Sequence, residues 1–389
     1  MKILHTADWH LGHSINGFDR YVEQADALRQ VVEVVRREQP DAFILAGDIF
    51  DTAQPSAAVR RIFSETIVEI RDAAPEMTVV AIAGNHDSGS SHEVFRRPWE
   101  RLGVHVFGTV NRDDAGSHII HVGGEDGGIV AALPYTHPRN LPAGFMDELS
   151  RMAAKASDGK KPVVLAAHTT IAGCDYSGHS SATEMSAGGI DAVRAEDLGD
   201  GYDYIALGHI HRPQTISGTG RRISYSGSLV AVDFSESYRH SVTIAEIGQH
   251  GDTPTLRREE IAGIRPLVTL PTRGFATWDH AISLLRQFPD DAAAYIRLNI
   301  LADSTVPSDA SAQAEQACIG KAARFCRLNM KRMEMTGEKG NHMSVEELRE
   351  SDPIEIAMRF AADTGEDLSE ESIDMLKSTI ATVRDELRD

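Results

Sequence analysis

Between residues 8 and 211 the sequence repeats one arrangement five times: a short apolar run of strand length ends in a knot of Asp, His or Asn. The knots are Asp8-Trp9-His10, Gly47-Asp48-Ile49-Phe50-Asp51, Gly84-Asn85-His86-Asp87, Ala167-His168 and Gly208-His209-Ile210-His211. The runs leading into them span 1–6, 42–46, 78–83, 163–167 and 204–207, and 129–133 is another run of the same kind. Amphipathic stretches fill the gaps. Residues 22–39 set Leu28, Val31, Val32 and Val35 at helical spacing and stop at Pro40, and 57–74 reads as a second helix. Strands alternating with helices predict an α/β layered domain. In such a domain, sites gather at the loops that follow the carboxyl ends of the strands.

A single Asp or His after a strand is usually a cap, a turn or a satisfied core group. Five such clusters at successive strand ends of one domain predict a convergent site. Carboxylate, imidazole and amide oxygen without any thiol suit Mn, Fe, Zn or Mg better than a soft metal. Two cations about 3.5 to 4 Å apart need a bridging carboxylate and several ligands each. Asp8, His10, Asp48, Asn85, His168, His209 and His211 supply seven. Gly47, Gly84 and Gly208 let the backbone turn sharply beside them. Such a pair polarises a phosphoryl group and lowers the pKa of a shared water towards about 7 for in-line attack.

Composition narrows the class further. The three cysteines, Cys174, Cys318 and Cys326, form no C-x-x-C pair, which argues against a disulfide scaffold and a thiolate zinc site and favours a reducing cytosol. No apolar h-region follows Met1 and nowhere do 18 apolar residues stand in a row, so nothing marks a secreted or membrane-spanning chain. A net charge of -19 argues against DNA binding through a uniformly basic surface. Any nucleic acid has to be gripped locally or through metal ions.

After Arg222 the pattern turns to alternation, in Ile223 and Tyr225 and again in Val242, Ile244 and Glu246, which predicts antiparallel strands closing a first domain at 1–266. Residues 267–335 read as a small α+β domain: strand 267–270, helix 278–288, strand 294–300, helix 311–324 and a last short strand. A linker follows at 336–343. The tail 344–389 holds two helical patterns, the first opened by the capping box Ser344-x-x-Glu347. Its 14 acidic side chains against 5 basic ones make it the most acidic part of the chain.

The ordered set D-x-H, G-D-x-x-D, G-N-H-D, H and G-H-x-H resembles the calcineurin-like metallophosphoesterases. The spellings MKILHTADWHLG at 1–12, AGDIFDT at 46–52, AGNHDS at 83–88 and DYIALGHIHR at 203–212, with Tyr225-Ser226-Gly227-Ser228 beyond, are closest to the bacterial SbcD nuclease subunits. That resemblance implies a sandwich of two β-sheets flanked by helices, a small α+β capping domain that contacts DNA, and C-terminal helices. It implies one metal held by Asp8, His10, Asp48 and His211 and a second held by Asp48, Asn85, His168 and His209, with manganese the favoured ion. His86 takes the place of the general acid that protonates the leaving oxygen. Asp51 matches the position that pairs with this histidine, orients its ring and raises its pKa.

The implied activity is metal-dependent hydrolysis of DNA, exonucleolytic at duplex ends and endonucleolytic on single strands and hairpins. The implied setting is a cytoplasmic, nucleoid-associated complex with an SbcC-type coiled-coil ATPase, a heterotetramer built on a homodimer of this chain. The acidic tail then acquires a use, since Ile354, Ile356, Phe360, Ile373, Leu376 and Ile380 form an apolar stripe fit for the ATPase. The alternative is a phosphatase or phosphodiesterase of the same superfamily acting on nucleotides or proteins, because the metal ligands are common to all. A non-catalytic scaffold is disfavoured, since every ligand position is filled.

Other residues are read more plainly. His168 ends an apolar strand while its rival His179 lies in a polar Ser/Gly stretch, so His168 is the expected ligand. Asp87 reads as a helix cap, Trp9 as packing behind the site with stacking on a base as the other option, and His13 as an exposed loop residue with contact to a bound phosphate as the other option. Arg20, Arg60, Arg61, Arg96, Arg97 and Arg139 read as solvated helix faces, with phosphate grips as the other option.

Overall fold

The computed structural model describes residues 1–124, 127–177, 192–216, 222–302 and 306–332, with positions 354, 356, 372–375, 377 and 380. The chain divides into two compact units, Met1–Lys331 and Arg332–Asp389. His179, the linker 336–343, the capping box at Ser344, Phe360 and Leu376 lie outside the described residues. Of the expected tail stripe, Ile354, Ile356, Ile373 and Ile380 are described; all four are helical and partly buried.

The first unit opens with β1 (Lys2–Thr6), the small ribbon β2 (Ser14–Ile15) and β3 (Phe18–Asp19), and helix α1 (Tyr21–Glu38). Then come β4 (Ala42–Ala46), α2 (Ala57–Ala73), β5 (Thr78–Ile82), α3 (Gly89–Glu100) and β6 (Val104–Phe107). A second run follows: β7 (Ile119–Val122), β8 (Gly128–Leu133), α4 (Phe145–Ser157), β9 (Val163–His168), β10 (Tyr204–Gly208), β11 (Gln214–Ile216) and β12 (Ile223–Tyr225). Strands β13 (Ser241–Glu246) and β14 (Thr255–Glu260) complete it.

These strands make two six-stranded sheets, ordered β14-β13-β1-β4-β5-β6 and β11-β12-β10-β9-β8-β7. In each, four neighbouring strands run parallel: β1, β4, β5 and β6 in the first, β12, β10, β9 and β8 in the second. The sheets face each other across a core that includes Ile3, Ile44, Ile82, Val130, Val164 and Ala206. Helices α1 and α2 cover the outside of the first sheet with Leu28, Val31, Val35, Phe63 and Ile67, and α4 covers the second with Leu149 and Ala153. Central strands are therefore apolar on both faces, which is why β4 reads AFILA without alternation and is buried throughout. Each such Ile or Leu contributes roughly 1.5 to 3 kcal/mol on burial.

The helices end where the sequence says they must. Gln39 takes a left-handed conformation at the end of α1, directly before Pro40, and the Ser56 side chain accepts from Val59 N at 3.3 Å to cap α2. Three expectations are refined. The expected antiparallel strands are present, β12 pairing with β11 and β13 with β1 and β14, but β12 also runs parallel to β10 and the two segments lie in different sheets. Alternation shows that a strand has two faces, and does not choose its sheet or direction. In the small sheet β15 (Leu267–Leu270), β16 (Tyr295–Ala302) and β17 (Arg324–Arg332), packed on α5 (Trp278–Gln287) and α6 (Ala310–Ala317), the second helix stops seven residues early. Gly320 turns the chain with φ +83°, and the last strand is nine residues long rather than short. That sheet has its own core around Trp278, Leu285, Ile296 and Phe325.

Candidate metal centre

The five knots meet at the carboxyl ends of β1, β4 and β5 in one sheet and of β9 and β10 in the other. The loops after β1 and β4 stay zipped together: Asp8 N donates to Gly47 O, His10 N to Asp48 O and Leu11 N to Ile49 O, each at 3.0 Å. Asp8, His10, Asp48 and His209 all hold positive φ, at 53°, 43°, 48° and 93°. That conformation costs an L-residue roughly 1 to 2 kcal/mol. It persists because the surrounding main chain fixes it, and such strain collects at functional sites. Gly84 cannot carry a side chain, since a Cβ there would overlap Asp48, and one on Gly47 would overlap the His168 ring.

All seven expected ligands are brought together. Three groups place their ligand atoms within 4.8 Å of one another: Asp8, His10 and His211; His10, Asp48 and His86; Asp48, His168 and His209. His10 Nε2 lies 3.1 Å from His211 Nε2. Asn85 Oδ1 lies 3.0 Å from His168 Nε2 and 2.9 Å from His209 Nδ1. Asp48 Oδ2 reaches His168 Nε2 at 3.4 Å and His10 Nε2 at 3.7 Å, midway between the two groups.

Hydrogen bonding behind the rings decides which atoms face inward. His168 Nδ1 stands 2.8 Å from Ala46 O, a group that only accepts, so this nitrogen carries the proton and Nε2 turns a lone pair on Asn85 Oδ1 and Asp48. His211 Nδ1 likewise faces Glu236 Oε1 at 2.9 Å. Asp8 Oδ2 is buried and has no hydrogen-bond partner among the described residues. Asp8, His10, Asp48, His168 and His211 are buried, Asn85 and His209 open to the surface, and such a cluster of oxygen and nitrogen lone pairs aimed at each other needs positive charge between them. The residues present fit divalent cations.

Without a cation, protons take up that role. Burial opposes charge on His168, yet Asp48 and Asp8 raise it to about 9. Burial works the same way on His10, and the carboxylates of Asp51, Asp48 and Asp8 beside it raise it to about 8. Asp48 feels burial too, but His168, His10 and His86 outweigh it and hold the carboxyl well below the usual carboxylate range. Asp8, fully buried, is pushed up to about 7. His211 is kept neutral by burial, and the same burial pushes Glu236 up to about 7.

A calcineurin-like phosphoesterase family model matches residues 1–213, and one described as a type 5 capsule protein repressor C-terminal domain matches 264–364. Curated relatives that carry the name of SbcD within the SbcCD nuclease include that of Rhodobacter capsulatus, 32% identical over 73% of this chain and 75% of the relative. That of Bacillus subtilis is 34% identical over 69% and 71%, and that of Escherichia coli 30% over 63% and 65%. The chain belongs to the SbcD family of calcineurin-like phosphoesterases. It is accordingly a metal-dependent hydrolase of a nuclease family, and its two facing sheets with outer helices are the calcineurin-like sandwich.

Several side chains depart from the sequence reading. His86 is exposed and its Nδ1 lies 3.0 Å from an oxygen of Asp51, but that oxygen is the main-chain carbonyl. The Asp51 carboxylate instead meets His10 Nδ1 at 3.3 Å and His13 Nδ1 at 3.0 Å, which hold it below the usual carboxylate range against burial. Asp51 thus backs a metal-type histidine rather than pairing with His86 through its side chain. His13 is bound at both ring nitrogens rather than being an exposed loop residue, since Nε2 also reaches Val232 O at 3.1 Å.

Asp87 does not cap α3, whose N-cap is Ser88; its carboxylate accepts from Gly84 N, Ile49 N and Phe50 N and clasps two loops together. Arg20 is 2% exposed, donates to Ala231 O and lies over the Tyr295 ring at 5.3 Å. Trp9 does pack behind the site, donating to Thr6 Oγ1 at 2.9 Å. Glu236 carried no sequence signal, because the loop that holds it has no periodic pattern.

Proposed function

We propose that the chain is a two-metal DNA phosphodiesterase, exonucleolytic on duplex ends and endonucleolytic on single strands and hairpins, and the nuclease subunit of a complex with an SbcC-type coiled-coil ATPase. The observation that carries it is the convergence of seven lone-pair donors, fixed from behind, beside an exposed His86 in a chain of the SbcD family. One cation would be held by Asp8, His10, Asp48 and His211 and the other by Asp48, Asn85, His168 and His209, manganese being the favoured ion. Bound there, the cations would polarise the phosphoryl oxygens and acidify the attacking water.

The chain does the rest. Asp48 belongs to both groups and sets their spacing. His86 Nδ1–H donates a hydrogen bond to the Asp51 carbonyl, so Nε2 is the atom left to carry a proton to the leaving oxygen. Replacing His86 by Gln should lower turnover of a phosphodiester by about 10²- to 10⁴-fold while both ions still bind; an active variant would remove His86 from the role. A Mn-dependent assay comparing hairpin or broken-end duplex DNA with a nucleotide and a phosphoprotein tests the substrate. Cleavage of only the latter two would defeat the DNA reading.

The domains then have separate work: 1–266 the nuclease, 267–335 a cap that contacts DNA, 336–343 a linker, and 344–389 the helices that dock the ATPase. Deleting 344–389 should abolish co-purification with the ATPase and leave Mn-dependent hydrolysis of a small phosphodiester intact. A homodimer through the nuclease domain, and with the ATPase a heterotetramer, is supported by an apolar outer face on α2 and α3. Val68 on α2, Val94 and Phe95 on α3 and Leu102 just after it are exposed, and Phe95 and Leu102 line a cavity of about 320 Å³ together with Phe50, Phe63 and Trp99. Phe95→Asp should give a monomer in sedimentation. Among the described residues no helix is long and apolar enough to cross a membrane, and the proposed setting is the nucleoid in the cytoplasm, in DNA repair, recombination and replication.

A further inference from the structure

Residues 231–236 touch both the core sandwich and the small sheet, beside direct contacts such as Glu23 with the Tyr295 hydroxyl. From the core side, Arg20 donates to Ala231 O, and His13 Nε2 lies 3.1 Å from Val232 O while its Nδ1 holds Asp51 beside His10. From the small sheet, Arg327 of β17 reaches Asp233 Oδ2 at 3.3 Å. The Phe234 ring lies between two guanidinium groups, Arg297 of β16 at 5.1 Å and Arg327 at 5.5 Å, and packs in a small core with Ile15 and Tyr295. Two residues on, the Glu236 side chain is fully buried, with Oε1 2.9 Å from His211 Nδ1 and Oε2 3.3 Å from Ser228 Oγ.

We infer that this segment is a strap coupling the cap to the metal centre, with Glu236 the positioning residue that sets the orientation of His211. The inference rests on the reading of His211 as a metal ligand. A ring that donates its outer N–H to a buried carboxylate is fixed in tautomer and rotation, and losing such a partner typically costs about 10- to 100-fold in metal affinity. The carboxylate is in turn placed by a backbone whose neighbours are held by cap side chains. Two guanidinium groups of the small sheet grip the Phe234 ring, so a shift of the cap carries Phe234, and with it Glu236, along. Whatever displaces the small sheet, a bound nucleic acid or a protein partner, then alters one of the two cation sites and leaves the other alone.

Mn²⁺ titration of the full chain by calorimetry tests this without relying on turnover. Wild type should bind two ions. Glu236→Gln, close in shape, should weaken one of them about 10- to 100-fold and spare the second, and His211→Ala should weaken the same one. The pair Arg297→Ala and Arg327→Ala, remote from any ligand, should weaken that same ion by a smaller factor and keeps the test open if the Glu236 variant fails to fold. Unchanged affinity in either the Glu236 variant or the folded arginine pair overturns the strap, as does a lower melting temperature with both ions still bound at wild-type affinity. No Mn²⁺ binding by wild type would instead sink the metal reading itself, and the strap with it.

Discussion

The two groups of candidate metal ligands are similar in chemistry and held by different means. The His211 half, with Asp8 and His10, is backed by carboxylates, Glu236 behind His211 and Asp51 behind His10. Both lie outside the regular strands. The Asn85 half, with His168 and His209, is backed by the main chain: the Ala46 carbonyl at the end of β4 fixes His168. A strand carbonyl in the middle of a sandwich has no freedom to turn, whereas a carboxylate follows the loop that carries it. One half is therefore set by the scaffold and the other is adjustable. Each also draws on both sheets, Asp8 and His10 or Asn85 from one and His211 or His168 and His209 from the other, so bound cations would stitch the sheets together.

Three changes test that contrast, beginning with the one residue both halves share. Asp48→Asn should remove the charge between the groups and take turnover of a phosphodiester down by more than about 10⁴-fold, since each cation contributes several kcal/mol to the transition state. Calorimetry should find both ions weakened. If only one were, Asp48 would belong to a single half.

Gly47→Ala should reach the rigid half alone. Its Cβ would press on the His168 ring, at a backbone with φ +89° that a side chain tolerates poorly. Stability should fall by about 1 to 3 kcal/mol and one Mn²⁺ should bind about 10- to 100-fold more weakly. Because no side chain can be mutated to release His168, this is the counterpart of the Glu236 substitution. Loss of the ion that Glu236→Gln weakens would erase the distinction.

The smallest effect concerns the joint beneath both halves. His5 on β1 reaches across the sandwich to Tyr204 Oη at 2.8 Å and to Leu207 O at 3.1 Å on β10, and complete burial lowers it to about 3. Unfolded, the imidazole takes a proton near pH 6.5; folded, it stays neutral down to about 3. Its share of stability is whole above 6.5 and is lost as pH falls through that window, by at most about 1.4 kcal/mol per pH unit. Denaturant unfolding of wild type and His5→Gln at pH 6 and pH 5 should show the variant's stability falling less steeply. Parallel slopes would mean that His5 does not report on the joint.

Some of this was plain in the sequence and some was invisible there. Ligand chemistry, strand ends and the helices α1 and α2 were legible because each rests on residues a few positions apart, where periodicity or a stopping Pro40 acts directly. The role of Asp51 was misread because its position three residues after Asp48 says nothing of whether carbonyl or carboxylate turns to His86. Helix α3, with Pro98 inside it, and the charged edge strand β14 gave no clean period.

By itself, the sequence determined which atoms are available for a metal pair, that strands carry them to a common edge, and that the tail is the most acidic stretch of the chain. Tertiary structure alone decided that Arg20 is buried under the cap, that β12 and β13 join different sheets, and that Glu236 stands behind His211. The physical reason is range. Those contacts join residues tens to hundreds of positions apart, such as Arg20 with Ala231 or Glu23 with Tyr295, and a local pattern is compatible with many such pairings until packing selects one.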